Sequence, residues 1–246
     1  MYRFFQIFKM DLSNNFKNPV LINFNLVFAI VMILIMGFLT SGNYANAMDA
    51  YNYYAVSFLI FGMMEGAMTA TNCFMERDIK KPNLRILSSP CGKFPIYFSK
   101  MLASFVFDYI LHLLVAVILL IAGINLGGQN IGWIFLMMIP VEFSSAALGV
   151  LFCCIFHCEE TASTILSLFV SVIAFLGGAF FSLDGLGSTL ATISRISPVK
   201  LLIDVFFAVI YDNNLSGVLP VLFISTAFSA LCIFGCQKTF RAEDYL

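Results

Sequence analysis

Six long apolar runs dominate this sequence, and each is long enough to cross about 30 Å of hydrocarbon as a helix. Hydrophobic residues make up 61% of the chain and charged residues only 11%, which is more apolar surface than a water-soluble core could bury. The sequence therefore predicts an all-α, polytopic membrane protein that forms a single transmembrane domain over residues 1–246. The six transmembrane helices are predicted at Val20–Leu39, Tyr54–Phe74, Ile96–Ile124, Ile131–Phe156, Thr161–Leu183 and Gly217–Cys236.

The distribution of lysine and arginine predicts the orientation in the membrane. With a cytoplasmic N-terminus, eleven of the thirteen basic residues lie on the inner side, and only Arg195 and Lys200 lie outside. We therefore expect a multi-pass protein of the plasma or inner membrane with both termini in the cytoplasm. The seven cysteines fall at or near the inner ends of these helices, so we expect reduced thiols and no disulfide bonds.

Two further segments are predicted to lie along the membrane surface or dip into it. Residues 1–18 form an amphipathic interfacial helix that the Asn18-Pro19 step ends, because apolar side chains recur at every fourth position: Phe4, Phe8, Leu12 and Phe16. Asp11 is expected among the polar residues that face away from this stripe. Residues 184–216 are predicted as an outer re-entrant helical hairpin before the last span, with three candidate residues: Pro198, Lys200 and Asp204.

Charge is concentrated in one inner segment, residues 75–95, between the second and third spans. Six charged residues occur in the ten positions from Glu76 to Arg85. A docking surface for a partner protein would account for them, and so would a solvated anchor that only sets the topology. The candidate coupling residues are Glu76, Arg77, Asp78, Lys80, Lys81, Arg85, Leu87 and Pro90.

This segment resembles the inner loop of ABC type-2 membrane permeases. The similar residues occur in the same order, ending with a lysine that opens the third helix: Glu76-Arg77, Leu84, Leu87, Ser89-Pro90 and Lys100. The likeness extends over the whole chain, from the interfacial helix to the outer hairpin. Two departures are that Lys80-Lys81-Pro82 stands where the family has a Gly-Thr pair, and that the spacing from Glu76 to Pro90 is one residue longer than usual.

The resemblance implies the transmembrane permease subunit of an ATP-driven exporter. Such a subunit pairs with a second permease, as a homodimer or heterodimer, and with separate ATP-binding subunits that hold ATP and Mg²⁺. No cofactor is expected on this chain, which has no G-x-x-x-x-G-K-[ST] motif. A hydrophobic or amphipathic substrate, such as a drug, a peptide or a lipid-linked molecule, would move between the two permeases, and residues 75–95 would transmit the force. The alternative is a membrane-embedded enzyme or an ATPase-independent channel.

Four ionisable residues are predicted near the middle of spans two, three and four: Glu65, Asp108, His112 and Glu142. A charged carboxylate there costs about 2.5–3.5 kcal/mol, so each must face protein, water or another of the four. They form a candidate substrate path, or they only hold helices together through hydrogen bonds. Asp108 and His112 are four residues apart and could pair on one helix face. Gly62 and Gly66 flank Glu65 in a G-x-x-x-G frame that predicts a close helix contact.

No metal site and no catalytic residue is predicted. Cys154, His157 and Cys158 would share a helical face, but the sequence offers no second pair of ligands nearby. A net charge of −1 gives no support for nucleic-acid binding, so the lipid bilayer and the partner subunits are the expected partners.

Overall fold

The computed structural model describes residues 2–76, 79, 83, 93–181, 192 and 194–240, and this part of the chain forms helices and turns without any β-strand. The predicted all-α class is confirmed. We number the helices in chain order: α1 (Tyr2–Lys17), α2 (Pro19–Asn43), α3 (Ala47–Met75), α4 (Lys93–Ile121), α5 (Ile131–Phe156), α6 (Glu159–Leu176), α7 (Pro198–Tyr211) and α8 (Val218–Thr239).

Five stretches of the described chain are long and apolar enough to cross a membrane: Pro19–Asn43, Phe94–Ile121, Gly128–Phe156, Glu159–Leu176 and Val218–Thr239. The predicted second span, Tyr54–Phe74, lies in α3 and is not among them. Glu65 and several other polar residues lower the mean hydropathy of α3. Its 29 residues nevertheless make a helix of about 44 Å, which is long enough to span a bilayer.

The predicted helix limits hold for one span and fail at two glycine stops. The fourth predicted span coincides with α5. The fifth was predicted to reach Leu183 and this is wrong, because α6 ends at Leu176. Gly177 and Gly178 follow, and Gly178 takes a left-handed conformation (φ +81°) that suits glycine and ends the helix. The third span likewise ends early, at Ile121, before Gly123 with φ +86°.

The N-terminal helix α1 is followed by the predicted break. Asn18 has an extended backbone, and its Oδ1 accepts hydrogen bonds from the N–H groups of Val20 (3.0 Å) and Leu21 (3.4 Å), so it caps α2. Helix α1 buries residues outside its predicted apolar stripe. Its fully buried residues are Ile7, Asp11 and Asn15, whereas Phe16 is 39% exposed. Asp11, which was expected to face away from the apolar stripe, lies against α4.

Helix α2 is continuous but not regular. A π-helical turn at Asn23–Phe28 separates two α-helical parts, Pro19–Ile22 and Ala29–Thr40. Such a turn inserts one extra residue into the helix and is common near functional sites. Here it carries Asn25, the one residue of the turn that is buried.

Helix α3 is at the centre of the fold and packs against α2, α4, α5, α6 and α7. Its crossing with α5 is close because the residues there are small. A Cβ atom added at Gly149 of α5 would overlap the carbonyl group of Ala67 and lie 2.9 Å from the Cβ of Ala70. Both alanines are fully buried. The backbones of the two central helices therefore touch at Gly149.

Helix α7 occupies the second half of the predicted outer hairpin. Pro198 is in its first turn, and Lys200 Nζ lies 2.9 Å from Asp204 Oδ1, four residues further along the helix. One face of α7 is buried in the bundle through Val199, Ile203 and Phe206. Residues 182–191 and 193 of the predicted hairpin lie outside the described residues, so its re-entrant shape stays a prediction.

Candidate functional site

Three of the four predicted intramembrane polar residues form one buried cluster. Asp108 and His112 come from α4 and Glu142 from α5, and each is at most 1% exposed. We call these three residues the polar cluster. Their helices pack on one another and on α3, so the cluster lies inside a single subunit and is closed to both lipid and water.

The hydrogen bonds of the polar cluster join different helices. His112 Nδ1 lies 2.5 Å from Glu142 Oε1, which links α4 to α5. Asp108 accepts a hydrogen bond from Thr69 of α3, and Thr69 Oγ1 accepts one from Asn25 Nδ2 of α2 at 3.1 Å. The pairing suggested for Asp108 and His112 is not what forms. Because Glu142 faces the imidazole from the neighbouring helix, the bond of His112 ties two helices together.

The glycines of α3 make room for the polar cluster. A Cβ atom at Gly62 would lie 2.8 Å from His112 Nε2, and one at Gly66 would lie 2.9 Å from Asp108 Oδ2. Any larger residue would therefore force the side chains of α4 away from α3. The close contact predicted from the G-x-x-x-G frame is confirmed, and its partner is the polar cluster.

The polar cluster retains unused hydrogen-bonding capacity. Among the described residues, no partner reaches Asp108 Oδ1, His112 Nε2 or Glu142 Oε2. Buried polar atoms without partners are costly, and a change in helix packing that supplied partners would recover that cost. The geometry thus suits a set of polar contacts that holds α3, α4 and α5 together and is sensitive to their relative position.

Glu65 is separate from the polar cluster. It lines a small cavity between α2 and α3, together with Asn25 and four phenylalanines: Phe24, Phe28, Phe58 and Phe61. The amide of Asn25 is already engaged, since Nδ2 also donates to the carbonyl of Leu21 at 3.0 Å. The four residues predicted as one path therefore divide into a closed cluster of three and one acid beside a cavity.

A larger cavity of about 310 Å³ opens between α3, α5, α6, α7 and α8. Its lining is almost wholly apolar and includes Pro198 and Leu201 of α7 and Ile224 of α8. Ser144 and Ser145 also line it, but their hydroxyls donate to the carbonyl of Val141 within α5. This cavity, which we call the apolar groove, suits a hydrocarbon chain better than a polar group.

The charged segment is described at its start, at Ile79 and Asn83, and at its end, where residues 93–95 form the start of α4. Glu76 follows α3, and its N–H donates to the carbonyl of Asn72 at 3.0 Å. Asn83 is buried, and its Nδ2 donates to the carbonyl of Phe74 at 3.4 Å, which ties the segment to the end of α3. The other predicted coupling residues lie outside the described residues: Arg77, Asp78, Lys80, Lys81, Arg85, Leu87 and Pro90.

A buried ion pair near the start of α4 was missed in the sequence. Lys100 Nζ lies 2.9 Å from Asp11 Oδ1 of α1 and 3.3 Å from the carbonyl oxygen of Cys73 in α3. Both charged side chains are at most 1% exposed. Burial raises the pKa of Asp11, and the adjacent Lys100 opposes that rise. A lone lysine at the start of an apolar run was the available signal, but nothing in the spacing identified Asp11 as its partner.

The cysteine-rich turn between α5 and α6 does not form the helical face considered for a metal. Helix α5 ends at Phe156, His157 is left-handed with φ +57°, and Cys158 is extended. Cys154 lies in α5 and Cys158 lies outside it, so the two residues do not share a helical face. Within the described residues, no group of three or more His, Cys, Asp or Glu side chains is arranged to hold a metal ion.

Cys158 is expected to be the most reactive of the described cysteines. It precedes the first turn of α6, where hydrogen bonds from the backbone N–H and then the hydroxyl of Thr161 lower the pKa of its thiol. The other described cysteines are buried. In a variant that keeps only Cys158, maleimide labelling should reach its half-maximal rate at a lower pH than labelling of free cysteine, because the thiolate persists to lower pH.

The matched variant for this measurement is Thr161→Ala in the same single-cysteine background. It removes the hydroxyl bond and keeps the backbone bond, so the labelling profile should move part of the way back to higher pH. A profile that coincides with that of free cysteine, or that Thr161→Ala leaves in place, would contradict the assignment.

Comparison with known proteins identifies the family. The sequence model of the ABC-2 type transporter family matches residues 2–211, a range that contains α1 to α7, the polar cluster and the charged segment. No curated protein matches the chain. The membrane domain of this family is a permease and is not itself catalytic, which removes the support for a membrane-embedded enzyme. With its apolar helices, the chain is a multi-pass membrane protein. It belongs to the ABC-2 type transporter family.

Proposed function

We propose that this chain is the permease subunit of an ATP-driven exporter that pairs with a second permease and with separate ATP-binding subunits. The observation that carries the proposal is the position of α3. This helix packs on five others and runs directly into the charged segment at Glu76. A force applied to that segment therefore acts directly on one of the central helices of the bundle.

The proposed topology follows from α3 as well. If α3 also crosses the membrane, the chain has six spans in all. The charged segment and both termini then lie on the cytoplasmic side of the cell membrane, together with most of the basic residues. The ATP-binding subunits, which hold ATP and Mg²⁺, would dock on residues 75–95. Their closure would tilt α3 and α4 and change the side of the membrane to which the substrate path opens.

The proposed substrate is hydrophobic or amphipathic and moves between two such permeases. The apolar groove supports an apolar substrate, since about 310 Å³ accommodates a hydrocarbon chain or a small drug-like group. Among the four candidate path residues, we assign contact with the substrate to Glu65. The polar cluster, formed by Asp108, His112 and Glu142, would hold α3, α4 and α5 together while they tilt.

The test is to purify the tagged permease from the cells that produce it, together with the ATP-binding subunit that accompanies it. In proteoliposomes, the complex should hydrolyse ATP and export substrate. Glu76→Ala combined with Arg77→Ala should weaken the association of the ATP-binding subunit, or leave ATP hydrolysis intact while transport falls about ten-fold or more, the loss expected when about 1.4 kcal/mol of coupling disappears.

The control removes one acid and one base elsewhere, through Lys9→Ala combined with Glu160→Ala, both at exposed positions. It should leave association, ATPase rate and transport unchanged. If the Glu76 and Arg77 pair behaves like this control, the segment is only a topological anchor. If no ATP-binding subunit accompanies the permease and transport proceeds without ATP, the chain works as a channel.

A further inference from the structure

Within the described part of the chain, Glu65 differs from the polar cluster in having no hydrogen-bond or ion-pair partner. Among the described residues, no hydrogen-bond donor or cation reaches its carboxylate. It is 6% exposed, and that exposed part borders the cavity between α2 and α3. A carboxylate in the middle of a membrane helix is costly unless something in its surroundings satisfies it. A group that satisfies the carboxylate of Glu65 would bind in this cavity.

The cavity is the size of one small polar group. Its volume is about 10 Å³, which is about the least that can hold a single water molecule. A primary ammonium group is close to water in size, whereas a trimethylammonium group is several times larger. The cavity volume therefore favours a primary ammonium group over a trimethylammonium group.

The walls of the cavity are aromatic. Phe24 and Phe28 are contributed by the π-helical turn of α2, and Phe58 and Phe61 by α3. The faces of aromatic rings attract cations, and this attraction strengthens where water is excluded. Asn25 contributes no donor to Glu65 because its amide is bonded to Leu21 and Thr69. A carboxylate surrounded by phenylalanines has the chemistry of a cation site.

The outer wall of the cavity faces away from the protein. The rings of Phe24 and Phe28 stack on each other with 5.4 Å between centroids, and they are 40% and 38% exposed. Exposed rings can rotate without disturbing the core, so they can admit a group from outside. The surface beyond them is apolar and suits the rest of an amphipathic molecule.

We propose that this cavity binds the primary ammonium group of an amphipathic amine, with the carboxylate of Glu65 as its counter-ion and the phenyl rings as its walls. The alkyl part of the amine would lie along the exposed apolar surface of α2. This assignment names the substrate class for the exporter and rests on the proposed function. It is tested by binding alone, so a result does not depend on the ATP-binding subunits.

The experiment measures equilibrium binding of radiolabelled dodecylamine to the purified permease in phosphatidylcholine nanodiscs at pH 7. Saturable binding is expected for the parent protein. Glu65→Gln keeps the size of the side chain and removes its charge, so it should weaken binding by about 10- to 100-fold, the range for a lost charge-assisted hydrogen bond. Phe28→Leu should weaken binding by about three-fold through loss of one cation–π contact.

Two competitors and one control variant complete the design. Unlabelled dodecanol lacks the charge and dodecyltrimethylammonium exceeds the cavity, so each should compete far less than dodecylamine. Glu160→Gln, at an exposed position of α6, should bind like the parent. Binding is compared only between variants that elute as one species and unfold at the parent temperature.

Three results would overturn the proposal. Equal binding by Glu65→Gln and the parent would show that the carboxylate is not the counter-ion. Equal competition by dodecanol would show that only the alkyl chain is recognised, and equal competition by dodecyltrimethylammonium would refute the argument from cavity size. Failure of the exporter function would appear elsewhere, as a permease that binds dodecylamine but transports nothing with its ATP-binding subunit.

Discussion

Gly149→Ala is expected to lower the free energy of unfolding by about 3 kcal/mol, the upper part of the usual range for overpacking a buried contact. The added methyl group would overlap the carbonyl of Ala67 and press on Ala70. A flexible side chain could move aside, but a backbone carbonyl inside a helix cannot. Because α3 contacts five other helices, separating it from α5 at this point disturbs the whole bundle.

The measurement is thermal unfolding of the purified permease with a thiol-reactive dye. Five of the six described cysteines are buried, so their labelling reports the loss of the fold. Gly132→Ala is the matched control, since it lies in the same helix and its Cβ would meet no atom within 4 Å. That control should stay within about 1 kcal/mol of the parent. Equal midpoints for the two variants would mean that α3 and α5 are not in backbone contact.

The helices of this protein were largely predictable from the sequence because membrane length and hydropathy constrain them strongly. The limits of α5 were predicted to the residue. Errors arose where local backbone chemistry overrides hydropathy. The predicted fifth span passed through Gly177 and Gly178, although two consecutive glycines are a common end to a helix. The second predicted span, Tyr54–Phe74, stays a prediction, because α3 is a long central helix whose mean hydropathy is lower than that of the five candidate spans.

The contents of the candidate site were predictable, but not its pairings. Glu65, Asp108, His112 and Glu142 were found from the cost of placing ionisable groups in hydrocarbon. Spacing along one helix suggested that Asp108 would pair with His112, whereas Glu142 of another helix is the actual partner. Which residues of separate helices meet depends on crossing angles and rotations that no single stretch of sequence contains. The same limit hid Gly149, whose neighbours are on α3.

The separation of Glu65 from the polar cluster could not be predicted from the sequence either. In the sequence, Glu65 and Glu142 are both acids near the middle of an apolar run. Their difference comes from the π-helical turn of α2, which borders a cavity beside Glu65, while Glu142 is enclosed between α4 and its own helix. Hydrophobic patterning does not predict a π-helical turn, so the cavity could not be anticipated.

Asp11→Ala is expected to lower the free energy of unfolding by about 3–5 kcal/mol, because it leaves the buried ammonium of Lys100 without its counter-ion. The carbonyl of Cys73 would remain as a neutral partner and would offset only a small part of this cost. Since the pair joins α1 to α4, the first consequence should be release of α1 from the bundle. The same thiol-reactive dye measures the shift in the unfolding midpoint.

Asp204→Asn is the control for the loss of an acid from an ion pair. Asp204 also lies 2.9 Å from a lysine Nζ, that of Lys200, but its side chain is 53% exposed. Exposed pairs contribute about 0–1 kcal/mol, so this variant should unfold close to the parent temperature. The contrast between two pairs of equal length isolates the effect of burial.

The double variant Asp11→Leu with Lys100→Met separates a missing charge from a missing contact. Replacing a buried pair with apolar side chains of similar volume removes the cost of desolvating both charges, so much of the stability lost in Asp11→Ala should return. If the double variant is as unstable as the single one, the loss comes from packing around α1 and not from an unpaired charge. If Asp11→Ala itself has the same unfolding midpoint as the parent, Lys100 is not buried against α1, and the N-terminal helix does not pack on α4.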